Sequence, residues 1–293
     1  MARRSVIVCG CIVILVLSMM IWPPPPSVEA GGDVPPWMYS VEMDGEGYTV
    51  LRTDLDTGQT VPIATIPRVG TVPLNEIVSP GEIEAAREYF DEFGDWYTLG
   101  GRFPPMDEDR FLSGMPDVIL RVASPSPDNE LVALALRYEN CARPPGTGCH
   151  CFGATEVILL SGRTGAQTKI WSIDYSSTDF FSESAWVRET YIDDIQWIAG
   201  QRAVAVEISF DGIRRNAANR SVVVIPFLDE RPAFRIGDGY FWGASRTEYK
   251  IATIQRVPNS PELLATITFN PITRETSEIT YSLDTYRASP HIG

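Results

Sequence analysis

The sequence predicts an all-β fold built from antiparallel meanders, with one short helical insertion. A strand hairpin closed by Thr-Gly occurs twice, at Thr57-Gly58 and at Thr164-Gly165, and recurrence of one supersecondary unit indicates an architecture of repeats. The second copy follows a Ser-Pro-Asp turn at 126–128 and an apolar strand at 131–136. Further short β-prone runs, bounded by glycine, proline and aspartate, fill most of the chain after residue 38.

The first 30 residues predict entry into a secretory pathway. Arg3 and Arg4 precede an uncharged stretch of 17 residues from Val6 to Trp22, and the small-residue pattern ending at Ala30 suits signal peptidase. This stretch is longer than a usual signal core and shorter than the about 20 residues of a membrane-spanning helix. A cleaved signal peptide and a retained N-terminal anchor are both open. Either one places the remainder outside the cytoplasm, since the arginines stay on the inner side.

Residues 31–37 are predicted to form a linker, and residues 38–293 a single β domain. The chain has 293 residues and a formal net charge of −14. Such an acidic surface repels nucleic acid and anionic lipid headgroups. We therefore expect no nucleic-acid partner, and membrane contact only through the N-terminal segment if it is retained. No motif for a cofactor is present, so none is expected.

The first strands are expected at 38–43, 48–55 and 60–66, separated by glycine-containing turns. The stretch 68–116 breaks this pattern and is predicted to be an insertion. Ser79-Pro80-Gly81-Glu82 forms a capping-box sequence that opens a helix, and Gly94 is its expected end. Residues 95–116 are expected to form a surface excursion, and loops on a rigid scaffold often carry function.

Strands resume at residue 118 and are expected to continue almost to the C-terminus. They follow the order of the earlier meander, and the longer apolar runs indicate strands buried on both faces. The expected runs are 118–123, 131–136, 157–160, 195–198, 203–210, 221–227, 233–236, 249–257, 263–269 and 277–283.

The sequence resembles the repeat of TolB-type periplasmic β-propellers. In that family Ser-Pro-Asp-Gly precedes the second strand of a blade, and Asp-x-x-Thr-Gly lies between the third and fourth strands. Here 126–128 and 164–165 match, with Asn129 in place of the glycine, and 54–58 matches the second half of the repeat. The resemblance covers about one blade well and implies a degenerate β-propeller, or a related antiparallel meander assembly such as a sandwich or barrel. A closed propeller would bring 38–43 and 277–283 close together.

A cysteine cluster lies between two predicted strands. Cys141, Cys149, His150 and Cys151 could together bind a metal ion tetrahedrally. Three of these residues are consecutive, however, which strains the chain around one ion. In an oxidising compartment a disulfide is the more usual outcome, and we predict one from Cys141 to Cys149 or to Cys151.

Two further groups of residues are candidates for a site. Paired carboxylates, notably Asp193-Asp194, could serve a glycosidase, although such pairs arise by chance in an acidic chain. Aromatic residues could form a binding surface for a sugar or a protein, or fill the core. The aromatic candidates are Phe180, Phe181, Tyr240, Phe241 and Trp242.

These observations predict a non-enzymatic, extracytoplasmic protein that binds another protein, a glycan or another ligand on a propeller-like scaffold. It is expected to be secreted, periplasmic or at the cell surface. The alternative is a carbohydrate-active or other hydrolase that uses paired carboxylates. Only two histidines, His150 and His291, are present, which disfavours a Ser-His-Asp triad.

Overall fold

A computed structural model describes residues 34–99, 108–142, 150–175, 190–198, 203–210, 220–228, 232–238, 240–244, 251–256, 263–270 and 275–282. The fold is all-β: among these residues there are fifteen strands and three helices. The helices are α1 (Leu74–Ile77), α2 (Pro80–Leu99) and α3 (Glu108–Leu112). All three lie between the third and fourth strands of the chain.

The strands form four antiparallel sheets in which each strand pairs with its neighbour in sequence. Sheet A has three strands, β1 (Trp37–Met43), β2 (Gly47–Asp54) and β3 (Thr60–Pro67). Sheet B has four, β4 (Asp117–Pro125), β5 (Leu131–Ala142), β6 (His150–Ser161) and β7 (Gln167–Asp174). Sheet C contains β8 (Thr190–Ile198), β9 (Ala203–Phe210), β10 (Arg220–Pro226) and β11 (Phe234–Asp238). Sheet D contains β12 (Tyr240–Ala244), β13 (Ile251–Arg256), β14 (Leu263–Asn270) and β15 (Glu275–Ser282).

The last strand of three sheets carries a β-bulge at an isoleucine. Ile63 in β3, Ile170 in β7 and Ile236 in β11 are each skipped in the pairing with the preceding strand. In sheets A and B the isoleucine also follows the Thr-Gly glycine by the same five positions, from Gly58 to Ile63 and from Gly165 to Ile170. Strand β3 is therefore the equivalent of β7. Sheet A corresponds to the last three strands of a four-strand unit.

The sheets pack face to face through apolar side chains. The core between sheets B and C is formed by residues such as Ala135, Val157, Ile192 and Val206, and sheet A packs on sheet B around Val50 and Leu134. The first strands of successive sheets lie beside one another, β4 against β8 and β8 against β12. This arrangement of meanders side by side, with their first strands innermost, is propeller-like.

The sequence analysis expected a closed propeller to bring its two ends together. No closed sheet forms among the described strands, where β1 pairs only with β2 and β15 only with β14. The pairing that would close a ring is thus absent from this part of the chain.

The signature turns of sheet B dock sheet A. The Tyr39 hydroxyl donates to the carbonyl of Asn129, a residue with φ of 60°, and Arg52 donates to the carbonyl of Gly162 at 2.7 Å. A Cβ atom on Gly165 would lie 2.1 Å from the carbonyl oxygen of Ile63, so only glycine fits this contact. The turns that resemble a family repeat therefore have a packing role here.

Helix α2 begins where the sequence predicted. The Ser79 hydroxyl accepts a hydrogen bond from the Glu82 amide at 3.4 Å, which is half of a capping box. The other half of a capping box, a bond from the Ser79 amide to Glu82, is replaced. The Ser79 amide donates to the Asp174 carboxylate, and the Glu82 carboxylate accepts from the Gly153 amide. The expected end at Gly94 was wrong, since the helix continues to Leu99. Part of the expected surface excursion is also helical, and Phe111 and Leu112 of α3 are buried.

Candidate functional site

The hairpin of β5 and β6 extends beyond the rest of its sheet. Both strands have 12 residues, but β4 pairs with β5 only as far as Glu139, and β7 pairs with β6 only from Ala154 onward. The end of the hairpin therefore projects past both neighbouring strands. Residues 143–149, which join its two strands, lie outside the described residues.

A disulfide links the two strands of this projecting end. Cys141 and Cys151 are direct cross-strand partners with Cα atoms 4.0 Å apart, and their sulfur atoms are bonded. This is one of the two pairings that the sequence left open, and Cys149 belongs to the part of the chain that is not described. The disulfide fixes the two strands where the ladder of hydrogen bonds from neighbouring strands has ended.

Helices α1, α2 and α3 cover one face of the projecting hairpin. The Glu82 side chain is 1% exposed and accepts a hydrogen bond from the Gly153 amide of β6 at 2.8 Å. Asn140 of β5 donates to the carbonyl of Phe111 at 2.9 Å. Apolar packing completes the contact among Leu74, Val78, Ala86, Phe90, Phe111, Leu112, Ala142, Phe152 and Ala154. The insertion is therefore a support for the hairpin.

Of the four residues considered for a metal site, Cys141, His150 and Cys151 are described by the structure. The ring of His150 stacks on those of Phe152 and Tyr89, at centroid distances of 4.8 and 4.4 Å, and two of the thiols are consumed by the disulfide. Geometry instead brings a carboxylate oxygen of Glu139 within 4.8 Å of both sulfur atoms. Glu139 was missed by the sequence analysis.

Glu139 belongs to a buried polar cluster on the face opposite the helices. It forms an ion pair with Arg137 and accepts a hydrogen bond from the Tyr175 hydroxyl at 2.8 Å. Arg137 also donates to Tyr175 at 2.5 Å, and its guanidinium lies 4.2 Å from the ring centroid of Tyr191 in β8. Burial raises the pKa of Tyr175 well above its ordinary value, so this phenol stays protonated at neutral pH. The cluster joins sheet B to sheet C.

A second polar group connects strands β4 and β8 with strands β9 and β10. Asp193 of β8 forms ion pairs with Arg121 of β4 at 3.7 Å and with Arg220 of β10 at 3.2 Å. Arg220 also pairs with Glu207 of β9. The guanidinium of Arg121 lies 5.5 Å from the ring centroid of Tyr191, which connects this group to the Arg137 cluster.

Arg121 and Asp193 are both bulge residues. Arg121 is skipped in the pairing of β4 with β5, and Asp193 is skipped in the pairing of β8 with β9. Trp242 is skipped at the equivalent place in β12. A bulge re-aims a side chain out of the regular alternation and is over-represented next to functional sites. The sequence analysis had selected Trp242 for its aromatic ring, without this equivalence.

Asp193 and Asp194 do not converge on a common point: Asp194 accepts hydrogen bonds from its own strand, from the Ile195 amide and the Gln196 side chain. Tyr240 and Phe241 lie in β12 with Trp242, where only the backbone is described. Phe180 and Phe181 fall outside the residues that the structure describes.

Some of the buried charged residues in the two clusters can be recognised in the sequence by their apolar neighbours. Arg137 directly follows a run of six apolar residues in β5, and Glu207 interrupts an apolar run in β9. Charged residues are almost never fully buried unless they are paired, so a charge in such a run indicates a buried partner. The identity of that partner depends on how the sheets pack, which the runs do not reveal.

Comparison with known proteins gives structural likenesses alone. No protein-family model matches the chain, and no curated protein sequence matches it. Among solved structures it is similar to TolB from Acinetobacter baumannii, with 11% identity and a TM-score of 0.33 over 84% of this chain and 41% of that chain.

Two further solved structures are similar at the same level. The Nup133 β-propeller domain from Vanderwaltozyma polyspora has 10% identity and a TM-score of 0.29, over 84% of this chain and 52% of that domain. The periplasmic gluconolactonase PpgL from Pseudomonas aeruginosa has 12% identity and a TM-score of 0.32, over 84% and 67%. The chain spans less than two thirds of TolB and of the Nup133 domain. At these TM-scores the likenesses carry no argument about family or activity.

Proposed function

We propose that this protein is an extracytoplasmic, non-enzymatic binding protein, and that the projecting β5–β6 hairpin forms its partner-binding surface. The observation that carries the proposal is the disulfide between Cys141 and Cys151 at the end of a hairpin that helices support from one face. Binding costs less free energy when the binding segment is already ordered. The disulfide and the packing of the three helices hold the described end of the β5–β6 hairpin in that ordered form.

The location outside the cytoplasm has two supports. Disulfides form and persist in oxidising compartments and are rare in the cytosol. The first 30 residues have the charge and hydropathy pattern of a secretory signal or an N-terminal anchor. Among the described residues, no helix is long and apolar enough to cross a bilayer. The candidate N-terminal stretch lies outside them.

The alternative of a hydrolase with paired carboxylates gains no support from Asp193 and Asp194. A glycosidase needs two carboxyl groups that face each other across the scissile bond. Asp193 is held by two arginines, and Asp194 is bound along its own strand. We therefore retain binding as the single proposed function.

A fusion experiment in the native host tests the location. Bacterial alkaline phosphatase, which is active only where its disulfides form, is fused after Gly293. We expect phosphatase activity from the full chain and its loss when residues 1–30 are deleted. Acid trapping and alkylation of the unfused protein should show Cys141 and Cys151 protected from the alkylating reagent until reductant is added. Inactive fusions together with free thiols at both positions would overturn the proposed location.

Site-specific photo-cross-linking in the same cells tests the binding surface. A benzophenone amino acid is placed at Thr147, within the segment that joins β5 and β6, and in a control at the exposed Thr57 of sheet A. We expect a discrete adduct from Thr147 and none from Thr57. Equal adducts from both positions, or none from Thr147, would show that the hairpin is not the binding surface.

A further inference from the structure

Three side chains with metal-binding atoms lie together on one face of the projecting β5–β6 hairpin. Glu139 and Cys141 are two positions apart in β5, so their side chains leave the same face of the strand. Cys151 is directly opposite Cys141 in β6. A carboxylate oxygen of Glu139 and the two sulfur atoms all lie within 4.8 Å of one another. Alternation along one strand and pairing with the next therefore bring one oxygen and two sulfur donors together.

The disulfide decides when the two cysteines can bind a metal ion. It withholds both sulfur atoms, because the metal ligand is the thiolate. A dithiol reductant supplies two electrons: the S–S bond breaks, each cysteine sulfur takes up one proton, and the reductant forms a disulfide of its own. A divalent ion then displaces both protons and binds the two thiolates. Metal binding at this end of the hairpin is therefore restricted to the reduced protein.

The Glu139 carboxylate is held in place by two hydrogen bonds. Arg137 and the Tyr175 hydroxyl both donate to the same oxygen atom of Glu139, Oε2. The other oxygen, Oε1, accepts no hydrogen bond from the residues that the structure describes. Carboxylates that bind metal ions are themselves commonly hydrogen-bonded by a second layer of residues. Glu139 is thus oriented by its partners and keeps one oxygen for an ion.

The charges at this position are balanced around a divalent ion. Two thiolates and the Glu139 carboxylate carry three negative charges, and the ion and Arg137 together carry three positive ones. This balance matters because Glu139 is 8% exposed and Cys151 is 7% exposed, and an uncompensated buried charge is costly. Cys141 is exposed, so an ion can enter from its side.

We propose that Glu139, Cys141 and Cys151 form a Zn²⁺ site in the reduced protein. The two thiolates disfavour Mg²⁺ and Ca²⁺, which prefer oxygen ligands, and the carboxylate disfavours Cu⁺. Zn²⁺ sites with three protein ligands keep a fourth position for water, and Gly153, directly opposite Glu139, adds no side chain there. The ion joins the same two strands that the disulfide joins in the oxidised protein. This inference goes beyond the proposed function and does not depend on it.

Zinc titration of the full chain tests the site. All samples carry C9S and C11S, which remove the thiols of the N-terminal stretch. The protein is reduced with dithiothreitol under nitrogen, freed of reductant by gel filtration in metal-free buffer, and titrated with Zn²⁺ alone in competition with a chromophoric chelator. We expect one Zn²⁺ per reduced chain and none per oxidised chain. No stoichiometric Zn²⁺ on the reduced protein, or as much on the oxidised protein, would overturn the proposal.

A glutamate variant then tests the carboxylate ligand. E139Q removes the charge of Glu139, and E156Q is its matched control, since Glu156 is also a buried glutamate of this hairpin, paired with Lys169. Loss of an outer partner of a metal ligand alone weakens binding by about 10–100-fold, so we expect E139Q to bind Zn²⁺ at least about tenfold more weakly. E156Q should keep the affinity of the parent protein. If E139Q does not fold, as judged by far-UV circular dichroism, E139D replaces it with the same expected loss. An unchanged affinity without Glu139 would contradict the site.

Cysteine variants test the two sulfur ligands. Co²⁺ in place of Zn²⁺ should give the sulfur-to-cobalt charge-transfer absorption of a thiolate site in the reduced protein. We expect this absorption and Zn²⁺ binding to be lost in C141S/C151S and retained in C149S, which removes the third thiol of the cysteine cluster. Binding that persists in C141S/C151S, or that disappears in C149S, would show that the ion is held elsewhere.

Discussion

Replacement of Glu82 tests whether the helical insertion supports the hairpin in the way described. The Glu82 carboxylate is 1% exposed and accepts the Gly153 amide at 2.8 Å. In E82A this buried amide loses its partner, and hydrogen bonds to charged groups contribute about 1.5–3 kcal/mol. We expect the free energy of unfolding to fall by that amount in E82A, and by less in E82Q, whose amide oxygen can still accept.

The assay is thermal and urea unfolding of the full chain followed by circular dichroism. A loss of about 1.5–3 kcal/mol corresponds to a Tm lower by about 3–12 °C in a domain of this size. The matched control is E84A on the same helical turn, where Glu84 is 65% exposed and pairs with Arg87 at 3.8 Å. Such a surface pair contributes about 0–1 kcal/mol. If E82A and E84A unfold alike, the Glu82 contact does not anchor the insertion.

Three further predictions concern the hairpin and the docking of sheet A. Burial raises the pKa of Tyr39 to about 12, so folding keeps this phenol protonated above its ordinary pKa of about 10. The urea midpoint of the wild type should therefore fall as pH rises from about 10 toward 12, and the midpoint of Y39F should fall less. The free energy of unfolding of C141S/C151S should be lower by about 2.7 kcal/mol, because the variant lacks a cross-link of sequence separation 10. A urea midpoint of the wild type that is the same with and without reductant would contradict the disulfide. Asn129 has φ of 60° and its side chain donates to the carbonyl of Pro35 at 3.2 Å. The free energy of unfolding should be lower by about 1–2 kcal/mol in N129A and by less in N129G, because glycine adopts this conformation without strain. Equal stability of the two variants would refute the role of that backbone conformation.

Local signals in the sequence predicted much of the fold. Ser79 caps helix α2, and the Asp54 side chain binds the amides of Asp56 and Thr57 in the Thr-Gly hairpin, as short-range sequence patterns indicate. The helix passes through Gly94 because a glycine inside a helix costs only about 1 kcal/mol. A 20-residue helix packed on the hairpin tolerates that cost.

The candidate site was less predictable because it depends on long-range register. Arg121 and Asp193 are 72 positions apart in the sequence, yet they form an ion pair, and each lies at a bulge of its strand. A bulge is a property of a strand pair, and neither strand alone indicates it. The cysteine cluster and the expected oxidising compartment predicted a disulfide from Cys141 to Cys149 or to Cys151. Cys151 is the partner because it lies directly opposite Cys141 in the pairing of β5 with β6.

Photo-cross-linking at Thr147, repeated in the C141S/C151S background, tests whether the disulfide-linked hairpin binds the partner. In the proposed function, the partner binds a hairpin end whose two strands the disulfide holds together. We expect a strong adduct from Thr147 in the wild type, a clearly weaker adduct from Thr147 without the disulfide, and none from Thr57 in either background. An adduct of equal yield with and without the disulfide would contradict the claim that the clamped hairpin is the binding surface.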